Sequence, residues 1–452
     1  MNKEIKKGGV IGALTNFGER VIPSAFVIAI ILTIIVVVIA LIFTDSNLFD
    51  IVKYWGNGFW ELLTFSMQMT LIIVTGYILA ASPFFKKIID KIADIPKSPP
   101  QAVAIAALTS MLVAFINWGL ALIVAAFLAR AIVRKVPEVD YRLLVASGYL
   151  GLGISWHGGL SASAPLLIST PGHFLEGIMG VVPISETIFS PLNLIMLGVL
   201  IPVCCLLAWR LHPSKENTVR VDPTVLDQLK EFTPPTLPEN PTTSEKLSHS
   251  PIFSYVTGVA GLIWIGWFIF TKGFMMINLN TVIFIFLIVG IILHKTPASL
   301  EKAAMEGTGS AWGVVLQFPF YAGIFGIIMY SGLSEVIAGW FIAISTPRSF
   351  PVITYIYSAI MNYFVPSGGS KWALEAPYLA PAAKALGVNT TNFVMPYCYG
   401  DMTTNLLQPF WALPLLGLTK LKFRDIIGFN LIFAIVSFII IIVLFSILPG
   451  IL

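Results

Sequence analysis

The chain has 452 residues, of which 57% are hydrophobic and only 11% charged, and its formal net charge is +4. Soluble domains carry about 25% charged residues, so this composition excludes a soluble globular protein and identifies an integral membrane protein. The small positive excess lies mostly in loops, where it speaks for membrane topology and against a nucleic-acid partner.

In chain order, Lys3, Lys6, Lys7 and Arg20 place the N-terminus on the cytoplasmic side. The apolar stretch after Glu19-Arg20 is too long for a signal segment and lacks a small-residue cleavage site, so it reads as a retained first span. Val21–Phe43 crosses outward to Asp45, Asn47 and Asp50, and Trp60–Phe84 returns to a basic loop with Lys86, Lys87, Lys91 and Lys97. The block 102–133 would be about 48 Å long as one helix, too long for a hydrocarbon core of about 30 Å. It is flanked by basic residues at both ends and interrupted by Asn117-Trp118-Gly119, which predicts a re-entrant hairpin with its tip there. Residues 141–168 form an outward span broken at 155–161, and Asn193–Leu211 returns to the cytoplasm.

Residues 212–250 turn polar and Pro-rich, which predicts a cytoplasmic linker between a first transmembrane half, 1–211, and a second, 251–452. The second half opens with spans at Ile252–Phe270 and Thr281–His294, then Trp312–Tyr330 and an amphipathic stretch, Ser331–Ser345. A hairpin over 351–386 enters from outside with its tip at Val365–Ser370. A span over 389–418, broken at Gly400–Asn405, lands on Lys420, Lys422 and Arg424, and Ile426–Leu448 ends the chain outside.

The halves echo each other. Gly56-Asn57-Gly58, Gln68, Asn117 and Pro165 find counterparts in Gly307-Thr308-Gly309, Gln317, Asn362 and Pro414, at separations of 251, 249, 245 and 249 residues. The expected fold is therefore all-α and polytopic, with about ten transmembrane helices plus two re-entrant hairpins in an inverted repeat. Many secondary transporters share this architecture and bind substrate at the midplane, between broken helices.

Backbone leaves helical geometry at membrane depth only where protein or a water-filled cavity satisfies it, so the interruptions mark the candidate site. A carboxylate inside a membrane segment is costly and usually functional, which singles out Asp401 as an ion ligand or proton carrier. Thr403, Thr404, Asn405 and Gln408 follow it with oxygens suited to Na⁺, and Asp401, Thr404 and Asn405 form the candidate Na⁺ set. Ser367, Gly368, Gly369 and Ser370 offer backbone N–H groups to an anion at a half-helix N-terminus. Asn117, Gly119, Gly158, Gly159, Ser161 and Ser163 play the matching part in the first half. His157 reads equally as a proton carrier or as a hydrogen-bonded structural histidine. Lys371 and Glu375, one turn apart, read as a simple i,i+4 pair. Neither a metal spacing nor a nucleotide-binding motif is present, so no cofactor is expected beyond Na⁺ or H⁺ as coupling ion. An embedded enzyme around His157 and Asp401 is the competing class, but no nucleophile is arranged beside them.

The stretches Phe364 to Trp372 (FVPSGGSKW) and Tyr399 to Gly417 (YGDMTTNLLQPFWALPLLG), with Thr15 to Phe26 (TNFGERVIPSAF), resemble the bacterial short-chain fatty acid transporter family of the ion transporter superfamily. The resemblance implies a multi-pass protein of the bacterial inner membrane that takes up small carboxylates such as acetoacetate or butyrate. It also implies lipid as surroundings, a homodimer, and an elevator-like motion. Relatives elsewhere in the superfamily carry dicarboxylates, citrate, arsenite or protons, so another small organic anion is the alternative cargo.

Overall fold

The computed structural model describes residues 25–221, 232–309, 311–363 and 365–452. The basic N-terminal residues, the first four residues of the Val21–Phe43 span, part of the linker, and Phe364 of the FVPSGG stretch lie outside the described residues.

The first half contributes α1 (Ala25–Phe43), α2 (Leu48–Gly58), α3 (Leu63–Ala81), α4 (Pro83–Ala93), α5 (Pro99–Ile116), α6 (Trp118–Lys135), α7 (Tyr141–Ile154), α8 (Ser163–Ile168), α9 (Glu176–Met179) and α10 (Pro191–Arg210). After the linker come α11 (Thr243–Ser248), α12 (Pro251–Lys272), α13 (Leu279–His294), α14 (Pro297–Thr308), α15 (Trp312–Tyr330), α16 (Leu333–Ile344) and α17 (Phe350–Met361). The chain closes with α18 (Gly368–Ala385), α19 (Thr391–Asn405), α20 (Leu413–Thr419) and α21 (Phe423–Ile447). No strand occurs among the described residues. Six described helices are long and apolar enough to cross a membrane, and further apolar helices are shorter.

Local chemistry sets the helix starts. Asn47, Ser82, Asn117, Asp140, Ser190, Asn278, Thr296 and Ser367 each precede a helix and accept a first-turn N–H with the side chain. Such caps satisfy donors that would otherwise stay orphaned in an apolar surrounding. Two of them matter most for the site. Asn117 ends α5 and caps α6 through Leu120 N–H, and Ser367 caps α18 through Ser370 N–H.

The packing is reciprocal across the halves. α1 and α2 pack on α15, while α13 and α14 pack on α3. Gly58 meets Gly326 so closely that an added Cβ would lie 2.5 Å from the Gly326 Cα, and Gly307 sits against Tyr77 and Val74 in the same way. α5 packs on both α6 and α7. In the second half α17 packs chiefly on α19 and barely touches α18, which leans instead on α15 and α16. The segments before and after the 362–367 break thus separate. Gly400 admits this: an added Cβ there would fall 2.4 Å from the Tyr355 carbonyl, so only glycine lets α17 and α19 approach. α12 rests on α13 and leaves most of its apolar surface exposed.

The break expected at Gly400–Asn405 lies elsewhere. α19 stays helical through Asn405, and the chain leaves the helix only at Leu406 to Pro409. The reason is local: the Thr403 and Thr404 hydroxyls donate back to the carbonyls of Tyr399 and Gly400, one turn earlier. Hydroxyls bonded in this way coexist with a helix instead of ending it.

Candidate functional site

The centre of the molecule is where three interruptions meet: the turn Trp156–Gly158 between α7 and α8, the start of α18, and the last turn of α19. Gly368, the first residue of α18, is the closest approach. A Cβ there would lie 2.5 Å from His157 Cε1 and 2.9 Å from both Asp401 Oδ2 and Ser163 Oγ. The positive end of the α18 dipole therefore faces the Asp401 carboxylate.

Asp401, His157 and Lys371 are each 0–1% exposed. His157 Nδ1 lies 2.9 Å from Asp401 Oδ2, and Lys371 Nζ lies 3.5 Å from Asp401 Oδ1. His157 Nε2 accepts from the Ala164 backbone N–H at 3.3 Å and lies 3.0 Å from Ser163 Oγ. A backbone N–H can only donate, so Nε2 holds the lone pair and the ring proton sits on Nδ1, donated to Asp401. The ring is stacked on Trp156 at 4.3 Å, which fixes its plane. Lys371 donates to the Ser358 carbonyl at 3.0 Å and to the Ser358 hydroxyl, and its ammonium lies 4.3 Å from the centre of the Tyr397 ring. Asp401 Oδ1 has no hydrogen-bond partner among the described residues. What faces it is the Lys371 ammonium, 3.5 Å away.

A second polar knot lies beside the first. Asn362 Nδ2 donates toward three oxygens, the Asp401 carbonyl at 2.7 Å, Thr404 Oγ1 at 3.0 Å and Asn405 Oδ1 at 3.0 Å. Gln408 Nε2 donates to Asn405 Oδ1 and to the Asn362 carbonyl. Asn405 in turn donates to the Leu152 carbonyl of α7, tying the two halves together.

The structure thus brings His157, Ser163, Gly368 and Asp401 together, with Gly369 packed on Phe65 beside them. Ser161 accepts from the Trp118 backbone N–H, and Trp118 lies against Trp411, which donates to the Pro366 carbonyl. Through these contacts the breaks at 117 and 362–367 are joined. Ser367 and Ser370 bond each other in a local cap. Gly158 gives its carbonyl to Asn193, and Gly159 presses on the Phe115 backbone. Asn117 and Gly119 pack on α3 at Ile72 and Ile73, away from the carboxylate.

Two expectations about side chains are corrected. The Asp401 carboxylate does not join Thr403, Thr404 and Asn405, because it turns to His157 and Lys371 while those residues bond helix carbonyls, Tyr355 and Asn362. The set Asp401, Thr404 and Asn405 is therefore not assembled around one point by its side chains. Lys371 and Glu375 do not form the simple pair either, since Lys371 is drawn across to Ser358 and Asp401. Sequence reasoning missed Lys371 and Asn362 as members of the centre. Charge inside a membrane hairpin was the available signal, and the i,i+4 spacing disguised it.

An all-helical, multi-pass membrane protein whose ion pair is buried at the meeting of helix interruptions has the build of a membrane transporter, not of an enzyme. The family described as Short chain fatty acid transporter matches residues 8–448, and the chain belongs to it. It is 39% identical over 422 residues to an Escherichia coli (strain K12) protein provisionally named short-chain fatty acid transporter, covering 93% of this chain and 95% of that one. A Haemophilus influenzae protein with the same provisional name is 38% identical over 423 residues, covering 92% and 94%. Among solved structures, MtrF of Neisseria gonorrhoeae, described with a class of antimetabolite efflux pumps, aligns over 97% of each chain with a TM-score of 0.63. At 16% identity that likeness concerns the fold alone.

Proposed function

We propose that this protein is a secondary active transporter that takes up short-chain fatty acids of the acetoacetate and butyrate class across the bacterial inner membrane. The observation that carries this reading is the fully buried Asp401–Lys371–His157 cluster at the contact of the helix interruptions. A buried ammonium suits a carboxylate cargo, and a buried carboxylate suits a coupling cation.

An inverted repeat, with a re-entrant hairpin at 102–133 and a broken pair of helices at 351–386 whose arms lie apart, supports alternating access in this reading. Its support is the reciprocal packing of α1–α2 on α15 and α13–α14 on α3, and the two helix caps, Asn117 and Ser367, 250 residues apart. α12 falls outside the repeated unit.

Protons are the coupling ion that the Asp401 surroundings favour, because its neighbours are an ammonium and an imidazole instead of a cage of oxygens. One observation favours Na⁺ as a second reading. Three oxygens already converge on Asn362 Nδ2, and with the amide turned over its Oδ1 would join them as a fourth oxygen around a cation. Labelled butyrate uptake into proteoliposomes, corrected for protein-free liposomes and driven by each ion gradient separately, tests the proposal. Gradient-driven uptake of butyrate over succinate or citrate is expected. Preference for the larger acids would move the cargo to di- or tricarboxylates, and no response to either gradient would refute the transporter reading.

A further inference from the structure

Glu375 is a buried charge-bearing residue that the cluster above does not use. It lies on α18 one turn after Lys371, is 0% exposed, and neither carboxyl oxygen has a hydrogen-bond partner among the described residues. An isolated ionised carboxylate in such a place is far too costly to persist without a counter-charge. The only ammonium at hand among the described residues, Lys371, is turned to Ser358 and Asp401. Its other ionisable neighbours are Asp401 and the phenols of Tyr357, Tyr378 and Tyr397. None of them supplies positive charge. From the other helices packed on α18, Glu335 of α16 accepts from Ser334, Glu176 of α9 accepts from the Gly172 N–H, and α8 and α15 carry no charged residue.

From this arrangement we propose that Glu375 is the proton-carrying group of the transport cycle, protonated in the state seen here. Losing its proton leaves a carboxylate within one helical turn of Lys371, which can then swing from Asp401 to Glu375. Gaining it returns Lys371 to Asp401. One ammonium is thus shared between two carboxylates, and one proton accompanies each switch. The inference rests on the transporter reading and adds to it the identity of the proton site.

The test uses full-length protein in proteoliposomes with an imposed pH gradient and labelled butyrate, with rates corrected for protein-free liposomes. For one proton per substrate, each pH unit supports up to about tenfold accumulation. Glu375→Gln is expected to lose this response, while Glu375→Asp, which keeps a titratable carboxyl, retains part of it. Glu375→Gln with the wild-type response overturns the inference and leaves the transporter reading standing. A wild-type protein driven by a Na⁺ gradient and not by pH overturns the inference alone, and one that responds to neither gradient overturns both.

Dicyclohexylcarbodiimide supplies a readout that does not depend on a variant folding. It adds to a protonated carboxyl in an apolar site, the acid proton passing to a carbodiimide nitrogen as the new C–O bond forms. Peptide mass spectrometry of wild-type protein should find the adduct on Glu375, declining as pH rises. No adduct at acid pH, or a yield that ignores pH, overturns the proposal.

Discussion

Asp401→Asn probes the centre directly, because it keeps the side chain's shape and its acceptor toward His157 but removes the charge facing Lys371. Lys371 is fully buried and its ammonium lies 3.5 Å from Asp401 Oδ1. Breaking a buried pair by removing one partner costs about 3–5 kcal/mol, since it strands the other charge. Two features of this site lower that figure. The Ser358 carbonyl still accepts from Nζ at 3.0 Å, and Glu375 can ionise and take over as counter-charge. The single variant should therefore lose about 2–3 kcal/mol, and Asp401→Asn with Glu375→Gln the whole of about 3–5 kcal/mol. Reversible SDS unfolding followed by tryptophan fluorescence measures both, with Glu375→Gln completing the cycle. In proteoliposomes Asp401→Asn should abolish concentrative uptake. Additivity of the two single costs within about 0.5 kcal/mol would show that the carboxylates do not share Lys371. Wild-type accumulation and ion dependence in Asp401→Asn would make the carboxylate structural.

Gly368→Ala places a methyl 2.5 Å from His157 Cε1 and should cost about 1–3 kcal/mol by overpacking while removing most uptake; wild-type uptake would refute the close assembly of this site. Gly326→Ala puts its methyl 2.5 Å from the Tyr54 carbonyl, a backbone atom that cannot swing aside, and should lower the thermal midpoint of the purified protein by prying α15 from α2. Single cysteines at Asn240 in the linker and Ser349 before α17, in a cysteine-free background, should react with an impermeant maleimide from opposite sides of the membrane. Labelling from one side would refute the inverted topology.

Much of the fold was legible because apolar run length and helix punctuation act locally. The run Asn193–Leu211 emerges as α10 and Ile252–Phe270 as the bulk of α12, while Asn117 divides two helices because its side chain caps the second. Asp401 stood out as a carboxylate in an apolar stretch, and His157 as an imidazole in a glycine-rich one. Their contact was not legible, because it spans 244 residues and depends on Gly368 allowing three elements to touch. The break misplaced at Gly400–Asn405 shows the opposite limit. Polar residues suggested a disrupted helix, yet Thr403 and Thr404 satisfy themselves within it, and the true exit waits for Leu406.

Lys371 and Glu375 show why spacing alone misjudges a charge in a membrane protein. On a solvated helix an i,i+4 pair of opposite sign is worth a few tenths of a kcal/mol and its members find each other by default. Inside the apolar core the competition is with backbone carbonyls and other buried carboxylates. An ammonium there goes wherever the largest number of otherwise orphaned acceptors converge. Lys371 finds Ser358 twice and Asp401 once, and Glu375 one turn on is left without a hydrogen-bond partner among the described residues. A transporter needs such an imbalance. A cluster in which every charge had its permanent partner would have nothing to exchange with an incoming carboxylate or proton, whereas the proposed sharing of one ammonium between two carboxyl groups gives a bound anion or a proton two arrangements to choose between.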